Sequence, residues 1–216
     1  MTRKSREVER VATRTAHGER VVAFGREVDA VVERGVAVAF GAGRCARVDG
    51  PSGCAVSFGG GIAQAQTAVS LLSSGGTTLA SRIAVALNHA GVAVGSEVAF
   101  ADNLDSQAHS GKFAISTGPR GTADGLIAIA LGREGRAVAR AGGTIAIAFY
   151  DQYPGHWETP HGCDPCWIEG DYFLSGLKVA KVGENAIRAD HIYQLDPDGR
   201  FVEVGSAEVA RRYADS

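Results

Sequence analysis

Four side chains that bind soft and borderline metal ions fall close together: His156, His161, Cys163 and Cys166, spaced His-x4-His-x-Cys-x2-Cys. A Cys-x2-Cys turn lets two thiolates point at one ion, and two imidazoles would complete the tetrahedron that zinc prefers. Four protein ligands leave no position open for substrate, so such a zinc would be structural. The competing reading is a loop with two incidental histidines and a Cys166 packed beneath Trp167. An enzyme built on this segment would need an open coordination position and a nearby carboxylate, for which Glu158 or Asp164 would serve.

No other grouping points to catalysis, and neither catalytic nor cofactor-binding residues can be singled out. Gly41-Ala42-Gly43 and Gly59-Gly60-Gly61 lack the helix and lysine that phosphate-binding loops need, and read as turns. His89, His109 and Ser110 are expected on loops, with no Asp or Glu spacing that marks a triad. The start of the chain is basic (Arg3, Lys4, Arg6, Arg10, Arg14) and the end acidic, but the formal net charge is only -2. Without interleaved aromatic residues the basic stretch is a poor nucleic-acid site. Met1 to His17 has no apolar leader core, and no run of apolar residues is long enough to span a bilayer. The expectation is therefore a cytoplasmic chain, away from membranes, with reduced cysteines. Cys45 and Cys54 would pair only in an oxidising compartment.

The elements that must carry these residues are legible as a repeat. Apolar residues make up 45% of the chain but aromatic residues only 7%, and there are 29 glycines, so the apolar character comes from Ala, Val and Ile. That composition suits a narrow core stacked along an axis. Val21-Val22-Ala23-Phe24-Gly25 returns as Val36-Ala37-Val38-Ala39-Phe40-Gly41, as Ala55-Val56-Ser57-Phe58-Gly59, as Ile83-Ala84-Val85-Ala86-Leu87, and again up to Ile145-Ala146-Ile147-Ala148-Phe149. Copies recur about every 16 residues, enough for two short strands and two turns per coil. Alternation with period two makes each copy a strand, and glycines such as Gly35, Gly53, Gly91, Gly111, Gly125 and Gly143 fall where corners are needed. One side of each strand is bulky and the other Ala-lined. In the last copy Ile145, Ile147 and Phe149 are expected to face inward or into an interface, with Ala146 and Ala148 opposite. Two apolar sides are usually both covered, so association between copies is also expected.

The pattern stops at Phe149. The chain divides into a basic segment (1–19), a repeat domain (20–150), a His/Cys linker (151–166) and a small β module (167–216). In the last, Trp167 to Leu174, Leu177 to Val182, His191 to Leu195 and Arg200 to Val204 read as strands. Asp196-Pro197-Asp198-Gly199 is a hairpin turn, and Ser206 to Tyr213 one or two helical turns. The module is placed to cover the open end of a solenoid. The fold expected is all-β: a β-roll or β-helix solenoid of short Ala/Val/Ile/Gly repeats with a C-terminal β cap.

The repeats, together with Cys166-Trp167-Ile168, Lys178-Val179-Ala180-Lys181-Val182, Ile192-Tyr193-Gln194-Leu195 and Asp198-Gly199-Arg200-Phe201-Val202-Glu203-Val204, give the chain a resemblance over about residues 20–205. It resembles a group of bacterial, prophage and phage proteins whose repeats look like the β-roll heads of trimeric autotransporter adhesins. The resemblance implies a solenoid in a mobile-element setting and carries over no catalytic residue. The function expected is non-enzymatic: a surface presented to a macromolecular protein partner, such as host machinery that it would inhibit. The alternatives are a self-associating structural or adhesive protein, and a metal-dependent enzyme using the His/Cys segment.

Overall fold

The computed structural model describes residues 14–15, 18–24, 29–41, 45–50, 52–59, 61–158, 166–168 and 170–206. Over these the fold is an all-β solenoid of about eight coils, without helix. The chain enters through β1 (Arg14–Thr15) and β2 (Gly18–Phe24). It then winds through β3 (Ala30–Val32), β4 (Gly35–Phe40), β5 (Cys45–Val48), β6 (Gly53–Phe58), β7 (Ile62–Ser74), β8 (Thr77–His89), β9 (Val92–Gly95), β10 (Val98–Ala101), β11 (Gln107–Ser110), β12 (Phe113–Ser116), β13 (Thr122–Ala130) and β14 (Arg136–Gln152).

These strands build two parallel walls. The first holds β2, β4, β6, β10, β12 and the second halves of β7, β8, β13 and β14. The second holds β3, β5, β9, β11 and the first halves of the same four strands. Each coil thus contributes one strand to each wall, as the repeat length requires. Coil length varies from the 13-residue step between aligned Cys54 and Thr67 to the 18-residue step between aligned Val36 and Cys54.

The interior reverses the arrangement that the bulky rows suggest. Ala37, Ala39, Ala55, Ala68, Ala84, Ala86, Ala99, Ala114 and Ala128 of the first wall meet Ala30, Ala46, Ala63, Ala93, Ala108 and Ala123 of the second, and all are fully buried. The bulky row points outward. Short corners hold the walls close together, so mostly methyl groups and small hydroxyls such as Ser57, Ser70 and Thr78 fit inside, and Val32 and Val48 are enclosed only at the ends of β3 and β5, beside the corners. The last coil is the exception: Ile145 aligns with Ala128 and Ile147 with Ala130, and both isoleucines are inside, as expected for them. No further narrow coil stacks below, and the larger side chains fill the wider space beneath the cap.

Corners between the walls stack at the same pitch. Asp105, Arg120 and Glu134 occupy equivalent left-handed positions (φ 57°, 54° and 57°) in successive corners. A Cβ on Gly118 would lie 1.8 Å from the Asn103 carbonyl oxygen, and one on Gly132 1.9 Å from that of Gly118. Glycine there serves close backbone approach rather than positive φ.

The C-terminal module closes the end. A two-stranded hairpin pairs β15 (His156–Glu158) with β16 (Cys166–Ile168). Next, β17 (Tyr172–Lys181) adds antiparallel to the first wall beside β14, with a bulge at Ser175. The two runs expected around Leu174 and Leu177 are therefore one bulged strand, because the bulge absorbs the Ser175-Gly176 interruption without ending the pairing. On the second wall, β18 (His191–Leu195) pairs with β14 and with β19 (Phe201–Ser206), joined by the expected Asp-Pro-Asp-Gly turn with Gly199 at φ 72°. Ala180, Ile187 and Tyr193 of this module close over Ile145 and Ile147. Most of the segment expected to be helical, 207–213, lies outside the described residues.

Candidate interaction surface

The outer side of the first wall is a site built by repetition. Because inward positions carry Ala or Ser, the alternate positions must point out. From β4 onward they read Val36, Val38, Phe40; Cys54, Val56, Phe58; Thr67, Val69, Leu71; Ile83, Val85, Leu87; Val98, Phe100; Phe113, Ile115; Ile127, Ile129; and Thr144, Ala146, Ala148. None of these is charged, but the position after Phe100 in line with Leu87, Thr117, Leu131 and Ala148 is Asp102, the one charge in the three columns from β4 to β14. Phe24, Phe40 and Phe58 stack as a column, with centroids 4.8 and 4.5 Å apart and planes within 6°. Their separation is the strand spacing itself, so the ladder lines the rings up. Phe24 is 60% exposed and Phe113 44%. Seven spacings of about 4.8 Å between the eight rungs and a width of two to three residues give a face about 34 Å long and roughly 400 Å² in projection.

Charge is confined to the edges of this face. Along one corner Glu97 receives Arg82 at 3.2 Å and Lys112 at 3.5 Å, which holds its carboxyl below the usual range. Along the other, Arg120 pairs with Asp105 at 2.5 Å, and Thr117 donates to Asp102 at 2.6 Å. A dry apolar centre with a polar rim is the anatomy of a protein interface. The outer side of the second wall is mixed instead: exposed Val31, Ile62, Leu79 and Val94 alternate with Arg47, Gln64, Gln107 and Arg136.

The sequence-derived metal residues are only partly placed. His161 and Cys163 lie outside the described residues. His156 and Cys166 sit on opposite strands of the β15–β16 hairpin, where the backbone aligns His156 with Ile168 and Cys166 with Glu158. Among the described residues no cluster of three or more His, Cys, Asp or Glu could hold a metal ion. Cys45 and Cys54 are free thiols, and burial pushes both up in pKa.

His109 and Ser110 lie within β11 rather than in a loop. His109 Nδ1 meets the buried Asp124 Oδ2 at 3.3 Å and its Nε2 meets Gln107 Oε1 at 3.1 Å. The pair escapes a motif search because the residues are 15 apart, yet one coil of this solenoid is 15 residues there, which places them on adjacent rungs. No nucleophile stands beside them in β11 or β13 with a hydrogen bond to the ring. A cleft of about 470 Å³ opens where the last coil meets the cap, lined by Arg133, Phe149, Tyr150, Asp151, Gln152 and Tyr172 among others. Several of its polar groups already have partners. Tyr150 donates to the Leu131 carbonyl at 2.7 Å, Gln152 to that of Gly170 at 3.0 Å and Ser175 to Asp151, while Arg133 lies 4.2 Å over the Tyr172 ring.

No family model, no curated protein and no solved structure matches the chain. The reading of function therefore rests on the residues and geometry above.

Proposed function

We propose that the protein is a non-catalytic β-solenoid that works by protein association, with the outer side of the first wall as its working surface and further copies of the chain as the first occupant. The observation that carries this is the pair of uncharged columns that runs from Val36 and Val38 to Thr144 and Ala146, unbroken over eight rungs. A patch of roughly 400 Å² is within the range that monomers leave open and often use, and a standard interface buries about 800 Å² per partner. Surfaces that meet partners transiently keep charge in them, whereas faces that stay covered resemble a core cut in half. A repeated, flat, charge-poor face fits the second kind and is available identically on every copy. The resemblance of the tail motifs to those of phage and prophage proteins implies a mobile-element setting, in which a host protein is the alternative occupant of the same face.

The test is the mass in solution, by sedimentation velocity, of the full chain and of a Val85→Lys, Phe100→Lys variant. These residues align on neighbouring rungs at the middle of the face. Wild type is expected to sediment as an oligomer and the variant to lose that lateral association with its sheet-dominated circular dichroism unchanged. A wild type that stays monomeric, with its face open, would exclude self-association and leave the host-protein reading.

A further inference from the structure

The end of the first wall presents a second, differently built surface. Strand β17 pairs with β14 along one edge, and among the described residues no strand pairs with the other. That free edge is ten residues long and its side chains are open: Leu174, Leu177 and Val179 are 60%, 49% and 58% exposed. A long edge rich in apolar residues is a template for another strand, because its outward N–H and C=O groups have no ladder partner.

We infer that the free edge of β17 pairs antiparallel with β17 of a second copy, joining two solenoids end to end about a two-fold axis near Leu177. The strand suits itself as a partner. It contains no acidic residue and no proline, and its only charges are Lys178 and Lys181. With Leu177 on the axis, Lys178 falls opposite Gly176 and Lys181 opposite Phe173, so no like charges oppose each other. The bulge at Ser175 narrows the registers available and so favours one pairing over slippage. The chain's own end is a poor occupant. Residues 207–216 follow β19, on the opposite wall, and include Glu208, Arg211, Arg212 and Asp215, too many charges to complete an apolar edge. This contact runs along the solenoid axis, whereas the face proposed above associates laterally, so the two can be separated.

The experiment uses the full chain carrying Val85→Lys and Phe100→Lys, which disables the lateral face, in sedimentation velocity up to about 100 μM, a range suited to a small interface. A dimer is expected. Adding Ser175→Pro should return it to monomer: Ser175 is the bulged residue outside the β14 register, so proline there interrupts the edge strand without replacing a paired rung, at the cost of the Ser175–Asp151 hydrogen bond. Independently, Leu177→Cys should give a disulfide joining two copies of the substituted peptide under mild oxidation, and Val31→Cys, on the other wall, should not. Directly opposed antiparallel residues place Cβ atoms about 4.5–5.5 Å apart, close enough for that bond with slight adjustment. A monomer with no cross-link, or a dimer that survives Ser175→Pro and does not cross-link through Leu177→Cys, overturns the inference. So does a dimer that forms only after removal of 207–216, which would assign the edge to the chain's own tail. An oligomer mass unchanged by the two lysines, yet halved by Ser175→Pro, would retain the edge and reject the lateral face.

Discussion

Glu203 is the most connected charged side chain of the cap. It accepts from Arg188 Nε at 3.2 Å and from Arg188 Nη2, from His191 Nδ1 at 2.9 Å and from Tyr193 Oη at 3.4 Å. The Arg188 hydrogen bonds first, and His191 after partial desolvation has opposed them, hold its carboxyl below the usual glutamate range. A depressed folded-state pKa contributes stability that is present above the unfolded value, about 4.3, and is lost as pH falls through the folded one. Thermal melts should accordingly show the cap loosening below about pH 4.3, and Glu203→Gln should melt lower at neutral pH with that acid limb flattened. Ile147 tests the core at the same scale. It is fully enclosed, so Ile147→Asp places a carboxylate in an apolar layer and should cost about 3–5 kcal/mol in chemical denaturation. Ala148 points to the other side but is only 5% exposed, screened by the row from Ile129 to Leu177. Ala148→Asp therefore does not distinguish an open face from a covered one, whereas changes at the half-buried Val85 and Phe100 of the outward rows do.

Corners and hairpins set the coil pitch, and each kind of glycine has its own test. Gly118→Ala drives a methyl group into the Asn103 carbonyl, whereas Gly176→Ala on the edge strand meets nothing within 4 Å. The first should destabilise by about 1–3 kcal/mol and the second by no more than about 0.5 kcal/mol in urea unfolding. The β15–β16 hairpin holds two of the proposed ligands on paired strands. If zinc closes the loop between them, purified protein should carry about one equivalent by metal analysis, because a Cys2His2 set binds one ion. Cys163→Ser with Cys166→Ser should remove it and leave the solenoid's circular dichroism intact, since β15 and β16 form a sheet separate from that of the coils. Protein free of zinc and unresponsive to added zinc would remove the site.

Two geometrically distinct surfaces come from one architecture at the scale of the molecule. Stacking makes every rung of the first wall present the same kind of side chain outward, and it leaves a strand edge wherever the stack ends. The cap covers the core at that end through Ala180, Ile187 and Tyr193, and among the described residues no strand pairs with the outer edge of β17. Lateral association driven by the apolar face should persist, or strengthen, in high salt, because burying aliphatic surface gains nothing from charge and loses nothing to screening. Sedimentation in low and high salt checks this: dissociation on raising salt would point to the charged corners, around Glu97 and Asp105, as the true contact.

Period-two alternation and its recurrence about every 16 residues were enough to determine strands, two per coil, and a stacked body, because backbone pleat and hydrogen-bond spacing leave no other way to pair so many short similar runs. The turn at Asp196 to Gly199 was equally legible, since its chemistry is local. Which side of each strand faced in was not. Inward and outward rows are both apolar, so polarity could not decide between them, and in the first wall bulk pointed the wrong way for all but Ile145 and Ile147. Only the distance between the walls decided it: the corners bring them so close that alanine is what fits, and the larger residues are left outside as a surface. The meeting of His109 with Asp124, the merging of two runs into β17 and the free edge it leaves depend likewise on which coil lies beside which, a long-range registration that no local pattern contains.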